Sequence, residues 1–170
     1  MTPLDVLRAH LGEPSQAQKE AGDYPMRSLT FQGLPIKIET DVGEYRRGTD
    51  ATGDSWEVRM HYPYGFIDGS LGTDGDEVDC FIGESPDAPT AYVIRAMRRG
   101  AWHEYDEDKV MLGFDSLESA KRAFLLSYDD PRFMGDVFEV PVAALAAKLR
   151  SRRGQMLKSR ALFFRKLSRS

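Results

Sequence analysis

The sequence predicts an α+β domain: a small, strongly curved antiparallel β-sheet or OB-like barrel flanked by helices, with a basic helical extension at the C-terminus. Three observations carry this expectation. From about Ser28 to Ile82 the chain is a series of short β-type runs cut by Gly and Asp, the punctuation of a tightly turned antiparallel sheet. Helical periodicity comes after the strands instead of alternating with them, which favours α+β over α/β. Nine Lys and Arg fall between Pro141 and Ser170 with no Asp or Glu among them; the first 140 residues therefore hold 14 basic and 27 acidic side chains, a net of −13 hidden within a total of −4.

Residues 2–10, TPLDVLRAH, have the form of a short helix, with Thr2 as N-cap, Pro3 in the first helical position and Asp5 completing a capping box. GEPSQAQKEAGDYP reads as a polar linker or surface arm. Strands are expected at SLTFQ, LPIKIET, SWEVRMHY, YGFI and EVDCFIG, then at TAYVIRAM and, past the turn-like RRGAWHEYDED, at KVMLGF. In DSLESAKRAFLLSY, Asp115 and Glu118 make a capping-box pair, and Leu117, Ala120, Phe124 and Tyr128 recur at helical spacing. DDPRFMGD is a loop and VFEV a last short strand. VAALAAKLRSRR and MLKSRALFFRKL read as two helices divided near Gly154, the second setting Leu157, Ala161, Phe164 and Leu167 against a basic face. The segments are 1–27, an N-terminal helix and arm; 28–140, the barrel domain; and 141–170, the basic extension.

With 41% hydrophobic and 29% charged residues the chain has an ordinary globular composition. No apolar run approaches the roughly 20 residues that span a bilayer, and no basic-then-apolar leader opens the sequence, so a cytoplasmic protein without a membrane partner is expected. Cys80 is the only cysteine. It excludes an internal disulfide and a cysteine-based zinc cage, and within VDCFIG it reads as a small core hydrophobe. His61 and His103 are too isolated for a metal or triad site, and neither a GxxxxGK nor a GxGxxG motif occurs.

The chemistry concentrates in LGTDGDEVDCFIG, residues 71–83, where Asp74, Asp76 and Asp79 stand within six positions. Carboxylates this close repel one another unless a cation or solvent compensates. The cluster is therefore either an exposed acidic turn or an oxygen-rich site for a hard cation, magnesium or manganese rather than zinc. Asp79 has the opposite parity to Val78, Cys80 and Ile82; if those three face the core, Asp79 faces a cavity or solvent together with Phe81.

The stretch YGFIDGSLGTDGDEVDCF resembles the signature region of the soluble, magnesium-dependent family I inorganic pyrophosphatases. In that family a YGY/FI run precedes an aspartate, a small or polar residue, an aspartate, Pro or Glu, an apolar residue, an aspartate and a further apolar residue. Residues 74–80 satisfy every position. From average residue frequencies such a match arises by chance in roughly one chain of this length in ten thousand, so the resemblance is not an accident of composition. It covers about residues 34–140 and implies a pyrophosphatase-type barrel. Within that range the overall pattern is most similar to the pyrophosphatase-like domains encoded by tailed phages and prophages.

Carried over by position, the resemblance makes Asp74, Asp76 and Asp79 metal-site acids, joined by Glu39 of IKIET and by an acid of YDEDKVMLGF. There Glu107 stands in the nearer aspartate's place, with Asp106 and Asp108 as competitors, and the farther aspartate has no counterpart, since counting back reaches Trp102 and His103. Asp76 would also orient the attacking water and accept its proton. Lys109, Tyr64, Tyr128 and Arg59 would hold phosphoryl groups, with Arg46 or Arg47 adding a cation and Glu44 joining the acidic lining. Where the family has a Tyr-Lys pair, Tyr128 is followed by Asp129; either Arg132 compensates or the phosphate grip is altered. The implied activity is Mg2+-dependent (or Mn2+-dependent) hydrolysis of pyrophosphate or a related phosphoanhydride. The competing reading is a weak or inactive module of the same fold, whose basic tail engages nucleic acid or another phage protein; a homo-oligomer fits either.

Overall fold

The computed structural model describes residues 15–21, 24–70, 76–152 and 165–166. The expected helix over residues 2–10, the helix break at Gly154, Asp74, and nearly all of the second C-terminal helix lie outside them. After helix α1 (Gln16–Ala21) come β1 (Arg27–Phe31), β2 (Leu34–Thr40), β3 (Tyr45–Thr49), β4 (Ser55–Arg59), β5 (Tyr64–Ile67), β6 (Val78–Ile82), β7 (Thr90–Arg98) and β8 (Ala101–Leu112). Helix α2 (Leu117–Leu125), a 3-10 turn at Pro131–Phe133, β9 (Met134–Pro141), α3 (Val142–Arg152) and β10 (Arg165–Lys166) complete the order.

Eight strands form one sheet in the order β1-β2-β5-β6-β8-β7-β9-β10, and β3-β4 is a separate two-stranded ribbon. The architecture is mostly β with few helices, as an α+β chain requires, but the sheet is not closed into a barrel. Among the described residues β1 pairs only with β2, so the two ends of the strand order remain apart. Nor is the sheet wholly antiparallel: β6 runs parallel to β8, with Asp79 opposite Lys109. The β7–β8 hairpin is inserted so that its second strand, not its first, lies beside β6.

Alternation puts an apolar cluster on each face of the sheet. Ile36, Ile38, Val78, Cys80, Ile82, Val110 and Leu112 lie on one, where α3 adds Val142 and Leu145. Tyr64, Phe81, Ile94 and Met111 lie on the other, where α2 adds Ala120 and Phe124. The parity expected of β6 is present, but Phe81, expected to face a cavity or solvent with Asp79, is buried in the second cluster; Cys80 is a fully buried core residue whose thiol pKa is pushed up by burial.

Several local readings need correction. The polar arm contains α1, in which Gln16 Nε2 donates to Glu20 Oε1 at 3.1 Å one helical turn on. Helix α2 is capped by Ser116, not Asp115, in a reciprocal box with Ser119. RRGAWHEYDED is a turn only at Arg99–Gly100 before it becomes the outer half of β8. VFEV belongs to an eight-residue strand, β9. Arg165 and Lys166, read as helical, pair with Glu139 and Phe138 of β9.

Two register shifts shape the region around Lys109. Ile38 pairs with Gly65 and Thr40 with Tyr64, so Glu39 is the extra residue of a bulge; Ala96 pairs with Glu107 and Met97 with Tyr105, which makes Asp106 the extra residue of another. At the first bulge β2 crosses so close to β5 that a Cβ on Gly65 would overlap the Lys37 carbonyl oxygen. Gly65→Ala is expected to cost about 3 kcal/mol or more, at or above the upper end for overpacking. Gly69→Ala, with positive φ but open space around it, should cost only about 1–2 kcal/mol. Urea-denaturation midpoints of the two variants measure the difference.

Candidate active site

A buried lysine organises the site. Lys109 Nζ donates to Asp79 Oδ2 at 2.6 Å, Glu107 Oε1 at 2.5 Å and Tyr64 Oη at 2.7 Å, so all three of its N–H bonds are used. The Tyr64 hydroxyl in turn donates to Asp79 Oδ2 at 2.6 Å. The sheet dictates this meeting: Lys109 lies directly across from Asp79 on the parallel strand, and Glu107 is two residues before it on the same face. Burial alone would lower the ammonium's pKa, but Tyr64, Tyr128, Asp79 and Glu107 outweigh it, and the net shift is upward. Lys109 is thus a fixed cation. Burial pushes the Tyr64 phenol up, which keeps it a proton donor.

Surplus negative charge surrounds that cation. Glu39 is half-buried, and burial first, then Asp79, raises its carboxyl pKa. Glu107 is raised by burial against the opposing pull of Lys109. Asp108 is buried, and its parity puts it on the Val110 and Leu112 face, away from Lys109. Asp106 is half-exposed, with its carboxylate 3.6 Å from the Arg98 guanidinium.

Beneath Glu39 a second buried ion pair ties the strands together. Arg27 donates to both oxygens of Glu44, at 2.7 and 2.9 Å, and to the Glu39 carbonyl oxygen at 3.1 Å, while Glu44 accepts the Asp41 amide at 2.7 Å. Glu44 is therefore a strut rather than part of the acidic lining. The ends of the aspartate loop are pinned as well: the Gly69 amide donates to Glu77 Oε2 at 2.7 Å, and the Val78 amide to Ser70 Oγ at 2.9 Å. Asp76 lies exposed at the end of that loop.

A cavity of about 360 Å³ opens above Lys109, with Glu107, Asp106 and Tyr128 among its walls. Tyr128 stacks on Phe124 at 4.4 Å between ring centroids and tilts against Phe133 at 4.7 Å. The arginines divide differently from expectation. Arg46 lines the cavity and sits 4.1 Å from the centre of the Tyr64 ring. Arg47, next along β3, pairs with Glu57 at 2.5 Å and donates to the Glu20 carbonyl at 3.1 Å. Arg59 is exposed at the base of the β3–β4 hairpin and does not line the cavity. Arg132 folds back on Asp130, at 2.8 Å, and holds that carboxyl down to about 2; its guanidinium covers Trp102 rather than the cavity. The cation beside Asp129 is Arg99, at 2.6 Å, which does line the cavity. Sequence reasoning passed over Arg99 because it sits in a charged turn, and no local motif marks it.

The donor set suits a hard cation. Glu39, Asp79 and Glu107 offer only carboxylate oxygens, and burial, with Asp79 adding to it, raises the Glu39 pKa. Among the described residues no three acidic, His or Cys side chains already form a closed cradle. Further donors have to come from elsewhere, and the sequence offers Asp74.

Both charge clusters can be probed by substitution. Arg27→Met leaves Glu44 buried without its counter-charge and should cost about 3–5 kcal/mol in denaturant unfolding. In metal-free buffer, Glu39→Gln should stabilise the fold at pH 7. The sign follows from the raised pKa: the wild-type group is least unfavourable below its ordinary 4.5 and loses stability as pH rises through the folded value. The gain in Tm should therefore shrink to nothing at about pH 4.5.

No curated protein sequence matches the chain. The family model described as Inorganic Pyrophosphatase matches residues 16–150, which take in every described strand but β10 together with the Lys109 cluster. With that match extending over most of its length, the chain belongs to the inorganic pyrophosphatase family.

Proposed function

We propose that the chain hydrolyses inorganic pyrophosphate, or a related phosphoanhydride, in a magnesium-dependent reaction. The observation that carries this reading is the buried Lys109–Asp79–Glu107–Tyr64 cluster at the floor of a cavity in a chain of this family. Glu39, Asp79 and Glu107, with Asp74 and Asp76 of the signature loop and Asp106 at the rim, are the residues that would hold Mg2+, or Mn2+ in its place. Bound there, the ion supplies charge neutralisation and makes a water molecule more acidic.

The remaining work falls to side chains. Asp76 orients the water and takes its proton; its exposed position lets it pass that proton to solvent. Lys109 has no donor to spare, so a phosphoryl oxygen gains it by replacing one carboxylate oxygen, and the ammonium stays satisfied throughout. Tyr64 and Tyr128 contribute hydroxyls, and Arg46 and Arg99 supply the mobile positive charge that faces the leaving phosphate. Of the expected pair Arg46 and Arg47 it is Arg46 that serves, in place of Arg59 as well, and Arg99 takes the part expected of Arg132. The catalytic unit is residues 28–140, with 1–27 and 141–170 as appendages; its setting is the cytoplasm.

One observation favours the second reading, a weak or inactive module. Asp129 stands where the family has a lysine, and it draws Arg99 into an ion pair that a substrate must break. In that case the basic extension, residues 141–170, acts by binding nucleic acid or a phage protein.

Phosphate release from pyrophosphate decides between the two. With magnesium the purified chain should turn over, chelation by EDTA should stop it, and Asp76→Asn should lower kcat by about 10²- to 10⁴-fold. A magnesium-loaded, folded protein with no turnover would sink the hydrolase reading. Salt-sensitive DNA binding that survives Asp76→Asn and is lost on deleting residues 151–170 would then support the module.

A further inference from the structure

The cavity above Lys109 is built from two chemistries, and inorganic pyrophosphate uses only one. Lys109, Arg46 and Tyr128 are among its walls, and so are the apolar side chains of Trp56, Val58, Met97 and Phe133. A small ion charged on every side gains nothing from that apolar wall and loses hydration beside it. At about 360 Å³ the space exceeds what two phosphoryl groups fill and falls within the range of organic-ligand sites, roughly 300–1,000 Å³.

Trp56 is the distinctive part. It is 39% exposed, one of few large apolar side chains so placed. Its position is fixed nonetheless: it pairs across the ribbon with Gly48, and its ring lies so close over that residue that a Cβ there would overlap the indole. Arg46 lies between the two chemistries, its guanidinium 4.1 Å from the Tyr64 ring centre and 5.7 Å from that of Trp56. One arginine therefore links the phosphoryl end of the cavity to a rigid aromatic plate. Asp50 and Asp129 also line the space. Asp129 pairs with Arg99 and Asp50 Oδ1 accepts from Thr52 and Asp54, and the carboxylate lone pairs that remain suit the hydroxyls of a sugar or an exocyclic amine.

Resting on the hydrolase reading above, we propose that the substrate class of this site includes nucleoside di- and triphosphates. The base stacks on Trp56, the ribose lies beside Asp50 or Asp129, and the terminal phosphoanhydride sits over Lys109. Water forms the new P–O bond at the terminal phosphorus and the bond to the bridging oxygen breaks, its electron pair staying on that oxygen. A nucleoside triphosphate yields the diphosphate, inorganic phosphate and a proton; nothing is oxidised or reduced. Base–aromatic stacking of ordinary strength corresponds to about ten- to a hundredfold in affinity.

The test uses the full chain with magnesium. Phosphate release is measured from ATP, ADP and pyrophosphate for wild type, Trp56→Ala and Trp56→Phe. In a Trp102→Phe background, which leaves Trp56 as the sole indole, fluorescence is titrated with β,γ-methylene-ATP and with methylenediphosphonate. The expected result is nucleotide hydrolysis, quenching by the nucleotide analogue alone, and a kcat/KM ratio of ATP to pyrophosphate that falls at least tenfold in Trp56→Ala and is restored by Trp56→Phe. Pyrophosphate turnover without nucleotide turnover overturns the inference and leaves the pyrophosphatase reading standing, whether or not Trp56 is quenched. Nucleotide turnover that ignores Trp56 also overturns it. Trp56-dependent nucleotide turnover without pyrophosphate turnover upholds it against the narrower reading, and no turnover of either substrate ends both.

Discussion

The interior position of one ammonium group governs the rest of this molecule. Lys109 is 5% exposed, and a charge so placed is tolerable only when every N–H finds an acceptor and a counter-charge lies alongside. Asp79, Glu107 and Tyr64 meet that demand, and each is delivered by a different constraint. Parallel pairing of β6 with β8 brings Asp79, strand alternation brings Glu107, and the tight β2–β5 crossing at Gly65 seats the neighbouring Tyr64. The same constraint explains the lack of an alternative: removing any one partner side chain leaves the ammonium short of an acceptor. The fold and the site are one problem in charge compensation.

Around this cation the molecule keeps more negative charge than it needs. Burial makes both Glu39 and Glu107 bind protons more tightly than free carboxyls, which costs stability at neutral pH. The buried Arg27–Glu44 pair holds the backbone of Glu39 in place. The division of the arginines has the same logic: Arg47 and Arg132 have carboxylates at hand on the surface, whereas Arg46 rests on aromatic rings, which hold a guanidinium without neutralising it.

Much of this was legible in the sequence, for identifiable reasons. Strand parity in EVDCFIG separated Asp79 from Val78, Cys80 and Ile82, though Phe81 on its own face is core as well, and the spacing of Leu117, Ala120 and Phe124 placed α2 on the sheet. The aspartate signature pointed to a family that the match over residues 16–150 supports. What escaped was set by strand pairing rather than by local pattern. The bulges at Glu39 and Asp106 exist only relative to their partner strands, and no single segment displays them. The outer half of β8 is polar on both faces because it lies beyond the core, so it looks like a loop until β7 is seen beside it. Asp115 and Ser116 are both good caps; the helix takes the second because Ser119 reciprocates at the right spacing. Arg46 and Arg47 could not be separated without knowing which face of β3 meets the cavity.

The parallel step between β6 and β8 also bears on how the chain reaches this state. Asp79 and Lys109 are 30 residues apart, and all of β7 lies between them, paired to β8 as a hairpin. Hairpin contacts close short loops, whereas joining β6 to β8 closes a long one and has the greater entropic barrier. Until β6 docks, Lys109 sits at the open edge of that hairpin, hydrated and free of the low-dielectric surroundings that later demand acceptors. The centre of this protein is therefore assembled by the docking step itself, and the charge pair at its heart is a marker of completed folding rather than a nucleus for it.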